Sequence, residues 1–413
     1  RGKGARGLDS PAAAAPAPVM TDDAPPRGLA RNAANYGDRD FALYLRRSFA
    51  KSMGYSQAML DRPVVGIADT GSDFNNCHRT APELVAAVKR GVLAAGGLPM
   101  AFPTVSLCEP FLTPTSMHYR NLMALDTEAM LAAQPMDAAV LLGGCDKTVP
   151  AQLMAAVSAG VPSALLVVGP MLAQRFEGER LSACTDCRRY WARFRAGGVS
   201  AERIGEVEGN LATTAGTCGV MGTASTMACL AATLGFMPLM AASAPAVHAD
   251  RLRMAEEAGA QAVRLIHKPV KPAALVTPES VENALRVLLA LGGSTNALVH
   301  LAAIAGRAGV PVDLRRLDAL LGHPGVRRRP GRGLEPAGER ARAHHGPPGE
   351  QVDRDLLGQV AGVAVDEPLG RAIDRALDVD APRRRAGHQQ VPLRFLQEGQ
   401  GGLGGEQQAQ DVD

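Results

Sequence analysis

The chain has 413 residues, 46% of them hydrophobic and only 4% aromatic, enough to bury a sizeable core that Ala, Val, Leu and Met must fill. Its 44 basic and 41 acidic side chains leave a formal net charge of +3, which gives no reason to expect nucleic acid or a membrane surface as a partner. Apolar runs such as 138–142 and 164–168 are strand-length and far short of the ~20 residues of a membrane span, so a soluble protein acting on a small molecule is expected.

Residues 1–35 are read as a disordered extension. They are rich in Ala, Pro and charge, with Met20 as a plausible start, and no apolar stretch of the secretory kind follows the basic residues. From about 62 to 320 short apolar runs alternate with amphipathic helical segments. "PVVGIAD", "MDAAVLLGG" and "VPSALLVVGP" read as buried strands, and 81–95, 127–133 and 150–158 as helices. That alternation predicts an α/β domain over 36–320, a parallel sheet flanked by helices on both faces. Ligands of such sheets collect at the carboxyl ends of the strands. After Leu321 the composition turns to Arg, Gly, Pro, Gln and Asp, and no Ser, Thr, Lys or Cys occurs from Gly322 onward. Residues 321–413 therefore read as a low-complexity tail, disordered or the product of a reading-frame error.

Seven cysteines, an odd number in a long chain, argue for a reducing, cytoplasmic setting rather than a disulfide framework. Three mark the expected strand ends: "VVGIADTGSDFNNC" delivers Cys77, "AVLLGGCDK" delivers Cys145 and "TTAGTCGVMGTAST" delivers Cys218. In "GGCDKTVPAQLMAA" two glycines permit a tight turn, and Cys145, Asp146 and Lys147 then stand at the mouth of the sheet. A thiolate suits iron, a carboxylate suits magnesium, and a lysine becomes a ligand once carbamylated. The same residues would also serve as a surface turn with a buried cysteine and an Asp-Lys ion pair.

Several segments together, "SDFNNC", "SLCEPFLTPTSMHYRNLMA", "GGCDKTVPA", "AGTCGVMGTASTM" and "LGGSTNALVHL", resemble in order and spacing the dihydroxy-acid dehydratase and phosphogluconate dehydratase family, over about 63–320. The resemblance implies a 2Fe-2S cluster, a magnesium ion, and elimination of water from a 2,3-dihydroxy carboxylate to give a 2-keto acid. Carried over by position, it implies Cys77, Cys145 and Cys218 as cluster ligands, Glu109 and Asp146 as magnesium ligands, and Lys147 as the carbamylated lysine beside the metal. Three thiolates leave one iron with an open position for the departing hydroxyl. The stretch "MHYRNLMALDTEAMLAAQPMDAAVLLGGCDKT" looks more like the sugar-acid branch, arabinonate and xylonate dehydratases, than the enzymes of branched-chain amino-acid synthesis, whose substrate 2,3-dihydroxy-3-methylbutanoate is the alternative. A homo-oligomer, dimer or tetramer, is expected.

In the family a serine of a C-terminal barrel acts as base, and no serine follows Ser294 here. The barrel is therefore expected to be absent and activity feeble or lost. A non-catalytic iron-sulfur sensor or scaffold on the same fold is the rival reading. A zinc module at Cys184 and Cys187 is a weaker one, since no second pair lies at finger spacing. Cys108 is placed beside the site and Cys229 in the core. Ser225, Thr226, Ser294 and Thr295 lie where helix N-termini would either be capped or contact an anion. His78, His118, His248 and His300 show no ligand spacing.

Overall fold

The computed structural model describes residues 26–172, 174–183 and 186–313. The tail, the barrel question, residues 1–25 and Cys184 lie outside that range. Four strands, β1 (Val64–Asp69), β2 (Leu98–Pro103), β3 (Ala138–Gly143) and β4 (Ser163–Val167), form a parallel sheet in the order β2-β1-β3-β4. Helices α1 (Arg39–Ser52) and α2 (Gln57–Leu60) precede it. Then α3 (Ala81–Ala94), α4 (Arg120–Ala133) and α5 (Thr148–Ala159) make the three crossovers.

The α/β expectation holds, and its physical basis is burial on both faces. β3 and β4 are buried at every position, as strands covered on two sides must be. β2 is not one of the three expected strands, and its Pro99 and Pro103 would be out of place in the middle of a sheet. Its place at the edge of the sheet resolves this: β2 pairs on one side only, with β1, where a missing N–H is tolerated. Parallel crossovers are right-handed. The leftward step from β1 to β2 therefore puts α3 on one face, and the rightward steps to β3 and β4 put α4 and α5 together on the other.

Beyond β4 come a small hairpin, β5 (Gln174–Phe176) and β6 (Glu179–Leu181), then α6 (Asp186–Arg195), α7 (Ala201–Leu211) and α8 (Thr223–Thr233). The described part closes with α9 (Ala249–His267), α10 (Pro272–Leu275), α11 (Pro278–Leu291) and α12 (Asn296–Arg307). α9 lies against α3 so closely that a Cβ at Gly91 would stand 1.8 Å from the Glu256 carbonyl oxygen, and one at Gly259 2.3 Å from that of Val88. Only hydrogen fits at either crossing point. On the other side Arg307 clamps α12 to α4 and α5, donating to Glu128 at 2.6 Å and Ser158 at 2.7 Å. Cys229 is buried in the main core.

One boundary shifts. Residues 28–34, expected within the extension, belong to the folded body: Leu29 and Ala33 are buried, and the buried Asp137 carboxylate accepts from Gly28 N–H at 2.7 Å and Val64 N–H at 2.8 Å. Among the described residues no helix is long and apolar enough to cross a membrane.

Candidate active site

Connections leave β1 toward one edge of the sheet and β3 toward the other, so the crevice between their carboxyl ends is where such a fold takes a ligand. The loop after β1 carries Cys77 and His78, the loop after β2 carries Cys108 and Glu109, and the turn after β3 carries Cys145, Asp146 and Lys147. Cys218 enters differently from the strand end expected for it. It follows a single parallel bridge between Thr217 and Pro170, in which Thr217 N–H donates to Gly169 O at 2.9 Å and Met171 N–H to Thr217 O at 2.8 Å. The fully buried Arg251 of α9 ties the end of β4 to residues 241–244, its guanidinium donating to the carbonyls of Val167 at 2.8 Å, Ala241 at 3.0 Å and Ala244, and it packs against Gly169, whose carbonyl accepts from Thr217. Gly144, Gly169, Pro170, Thr217 and Ser225 surround one small cavity, so the β3, β4 and Cys218 turns converge.

The thiols are neighbours. Cys77 is in side-chain hydrogen-bond contact with Cys108 and close enough to Cys145 and Cys218 for their charges to interact. Cys145 Sγ lies 4.0 Å from Leu107 O and 3.5 Å from Thr148 Oγ1. The bond between Cys77 and Cys108 splits the pair: helped by burial it raises Cys77, and against burial it lowers Cys108 to about 7. Burial pushes the Cys145 thiol up, but the His78 imidazole and the Lys147 ammonium outweigh it and bring the value to about 6.

His78 organises this corner. Cys145 N–H donates to its Nε2 at 3.1 Å, which leaves the ring proton on Nδ1, facing Thr70 Oγ1 at 2.5 Å. The Thr70 hydroxyl donates onward to Leu142 O at 2.7 Å. Asn75 ties the Cys77 loop to the Cys108 loop, its Nδ2 donating to Ser106 Oγ at 2.9 Å and Leu107 O at 3.4 Å.

Beside the thiols lies a charged cluster. Lys147 Nζ is 2.6 Å from Asp146 Oδ1 and 3.6 Å from Glu109 Oε2, so the ion pair considered for this turn is formed. Arg120 of α4 donates to Asp146 Oδ2 at 2.7 Å and touches His300 Nε2 from α12. Burial opposes ionisation of Asp146, but Lys147 and Arg120 overcome it and hold its pKa below the ordinary range. Burial likewise opposes the charge on Lys147, pulling its pKa down, yet Cys145 and Asp146 outweigh it and raise the value above the ordinary lysine range. Glu109 is likewise held low, with the Ser116 hydrogen bond and Lys147 prevailing over burial.

The six residues singled out from sequence thus come together at one edge. Among the described residues no three His, Cys, Asp or Glu side chains are grouped as ligands of a single metal ion. The donor chemistry still fits the implied groups: several thiols share one patch, and the Lys147 ammonium stands between two carboxylates where a cation's charge would otherwise be needed. A lysine carbamate would turn that cation into a third anion, completing a set suited to a hard divalent ion.

Sequence reasoning missed Asn75, His78, Arg120 and His300. Only His78 had a local signal, its adjacency to Cys77. The Gly-Ser-Thr loops are brought together, but their hydroxyls serve one another: Thr223 Oγ1 lies 2.7 Å from Ser294 Oγ, Ser294 N–H donates to Thr226 Oγ1 at 3.1 Å, and Ser225 donates to Val220 O at 2.9 Å.

Residues 62–323 match the family model described as dihydroxy-acid/6-phosphogluconate dehydratase, N-terminal. The chain belongs to this dehydratase family. It is 41% identical over 294 residues to the L-arabinonate dehydratase of Rhizobium leguminosarum, covering 71% of this chain and 51% of the relative. It is 40% identical over 287 residues to the 6-deoxy-6-sulfo-D-gluconate dehydratase of Pseudomonas putida, covering 68% and 50%. A dihydroxy-acid dehydratase of Moorella thermoacetica is 37% identical over 279 residues, covering 66% and 50%. The chain spans about half the length of the curated relatives it matches.

Proposed function

We propose that this chain carries the metal-binding half of a hydro-lyase that removes water from a 2,3-dihydroxy carboxylate, an aldonate in preference to a branched-chain dihydroxy acid, to give a 2-keto acid. The observation that carries the proposal is the meeting of Cys77, Cys145 and Cys218 with Glu109, Asp146 and Lys147 at the switch point of the sheet. In this reading the three cysteines hold a 2Fe-2S cluster, and Glu109, Asp146 and Lys147 as its carbamate hold magnesium. Bound there, the two groups supply Lewis acidity toward a departing hydroxyl and positive charge for a carboxylate.

The chain's own residues prepare that site. His78 holds the Cys145 backbone N–H, Arg251 backs Gly169, to which the turn before Cys218 is bonded, and Arg120 orients the Asp146 carboxylate. Elimination also needs a base held in the same dry site. The relatives named for arabinonate and sulfogluconate support the sugar-acid preference, and a reducing compartment suits the free thiols.

Anaerobic reconstitution with iron and sulfide tests the cofactor reading. The protein should take up about two irons and show charge-transfer absorption, and Cys145→Ser should bleach it. Full iron content and unchanged colour in Cys145→Ser would remove the cluster assignment.

A further inference from the structure

We propose that the outer face of the α6–α7 pair is the surface through which two copies of this chain associate about a two-fold axis. The two helices bury their inner faces in a small core of their own, which includes Leu181, Tyr190 and Val207, and turn their opposite faces to solvent. On α6 the outward residues Arg188, Trp191, Ala192 and Arg195 are exposed, at the i, i+3, i+4, i+7 spacing of one helix face. Trp191 is the chain's one tryptophan. It is 54% exposed and leans on Phe194, with ring centroids 5.4 Å apart. On α7 the outward stripe is Ala201, Gly205 and Gly209, edged by Glu202 and Glu208, all of them exposed.

Two features mark this face as a contact. Glycine weakens a helix, yet Gly205 and Gly209 stand in α7 without a positive φ and, among the described residues, without a packing neighbour within 4 Å of where a Cβ would be. Neither turn geometry nor internal packing uses the missing side chain. Gly91 and Gly259 show what such a residue does elsewhere in the chain, since both lie where α3 and α9 cross at backbone contact. The second feature is charge. Ion pairs join Arg189 to Glu179 and Asp186, and Arg203 to Glu177 and Glu206, whereas Arg188, Arg195, Glu202 and Glu208 have no ion-pair partner among the described residues. Residues 188 and 195 stand about 10 Å apart along their helix, and 202 and 208 about 9 Å along theirs, at ~1.5 Å per residue. A tryptophan ridge between two arginines therefore matches a trough of small residues between two glutamates in spacing, shape and sign. One pair of helices carries both halves, so a second copy satisfies both at once, α6 of each lying on α7 of the other. A partner of a single charge sign would suit one helix and be repelled by its neighbour.

Sedimentation velocity of the full chain, read beside Trp191 fluorescence, tests the pairing. Wild type should be associated, with emission to the blue of a solvated indole. Arg188→Glu with Arg195→Glu, and separately Glu202→Arg with Glu208→Arg, turn attractive pairs into repulsive ones, and each should raise the dissociation constant at least about tenfold and move the emission to the red. Mixing these two variants should restore association and blue emission, because each then meets its opposite in the other chain. Gly205→Leu with Gly209→Leu fills the trough where the single chain has room, and should give the same red emission. A monomeric wild type would overturn the proposal, whether its emission were red or blue; blue would mean that the chain's own remaining residues cover the face. Charge-reversed variants that keep the wild-type mass and emission, or a mixture no more associated than its components, would overturn it equally.

Discussion

His300 projects from α12 against the Arg120 guanidinium and is only 3% exposed. Burial opposes its protonation and the positive charge of Arg120 adds to the effect, so its pKa falls from the ordinary 6.5 to about 4. The unfolded chain takes up the proton near 6.5, while the folded chain resists until about 4. Over that window the unfolded state binds more protons, so stability falls as the pH is lowered. The difference between the two pKa values corresponds to about 3 kcal/mol, present in full above the window and lost below it. The side chain is too buried for solvent screening to erase this. Replacement by Gln keeps an acceptor for Arg120 but cannot titrate. Urea unfolding of wild type and His300→Gln across the window should therefore show the stability gap between them changing by about 3 kcal/mol, with the wild type losing more toward acid. Because Asp146, Glu109 and Asp137 titrate in both proteins, the comparison isolates the histidine. A gap that stays constant with pH would refute the reasoning and show that His300 is accessible to protons in the native state.

Two further predictions concern the scaffold under the site. Gly91→Ala would push a methyl group into the Glu256 carbonyl; since backbone has to move, α3 and α9 should separate at a cost of about 3 kcal/mol, and a denaturation midpoint indistinguishable from wild type would contradict the packing described. Arg251→Met should strand the carbonyls of Val167, Ala241 and Ala244, lower stability by about 3 kcal/mol, and accelerate alkylation of Cys218 relative to Cys145. Equal labelling rates would mean that Arg251 does not hold the Cys218 turn.

The local pattern carried much of this protein. Buried runs at 64–69, 138–143 and 163–167, the first two each followed by a turn and a helix, were enough for the α/β class, and they placed Cys77 and Cys145 beyond strand ends. β2 escaped because its prolines are compatible with a strand only at an edge, and edge position is a property of the assembled sheet. Cys218 was located at the correct margin but through a lone bridge, which no run of apolar residues announces. His78 and His300 were passed over because a histidine's role depends on what faces its ring nitrogens, and those partners come from the end of β1, the β3 turn, α5 and α4.

What the sequence determined by itself is therefore the alternation of buried strand and covering helix, the turn residues at each strand end, and the identity of the thiol, carboxylate and amine groups those turns present. These are local consequences of side-chain period and backbone geometry. Only the tertiary structure decided that Cys77 meets Cys108, that Lys147 stands between Asp146 and Glu109, and that Arg120 links Asp146 to His300. Those meetings depend on β1 lying between β2 and β3, a choice of neighbours set by how the whole set of apolar faces is buried at once rather than by any segment alone.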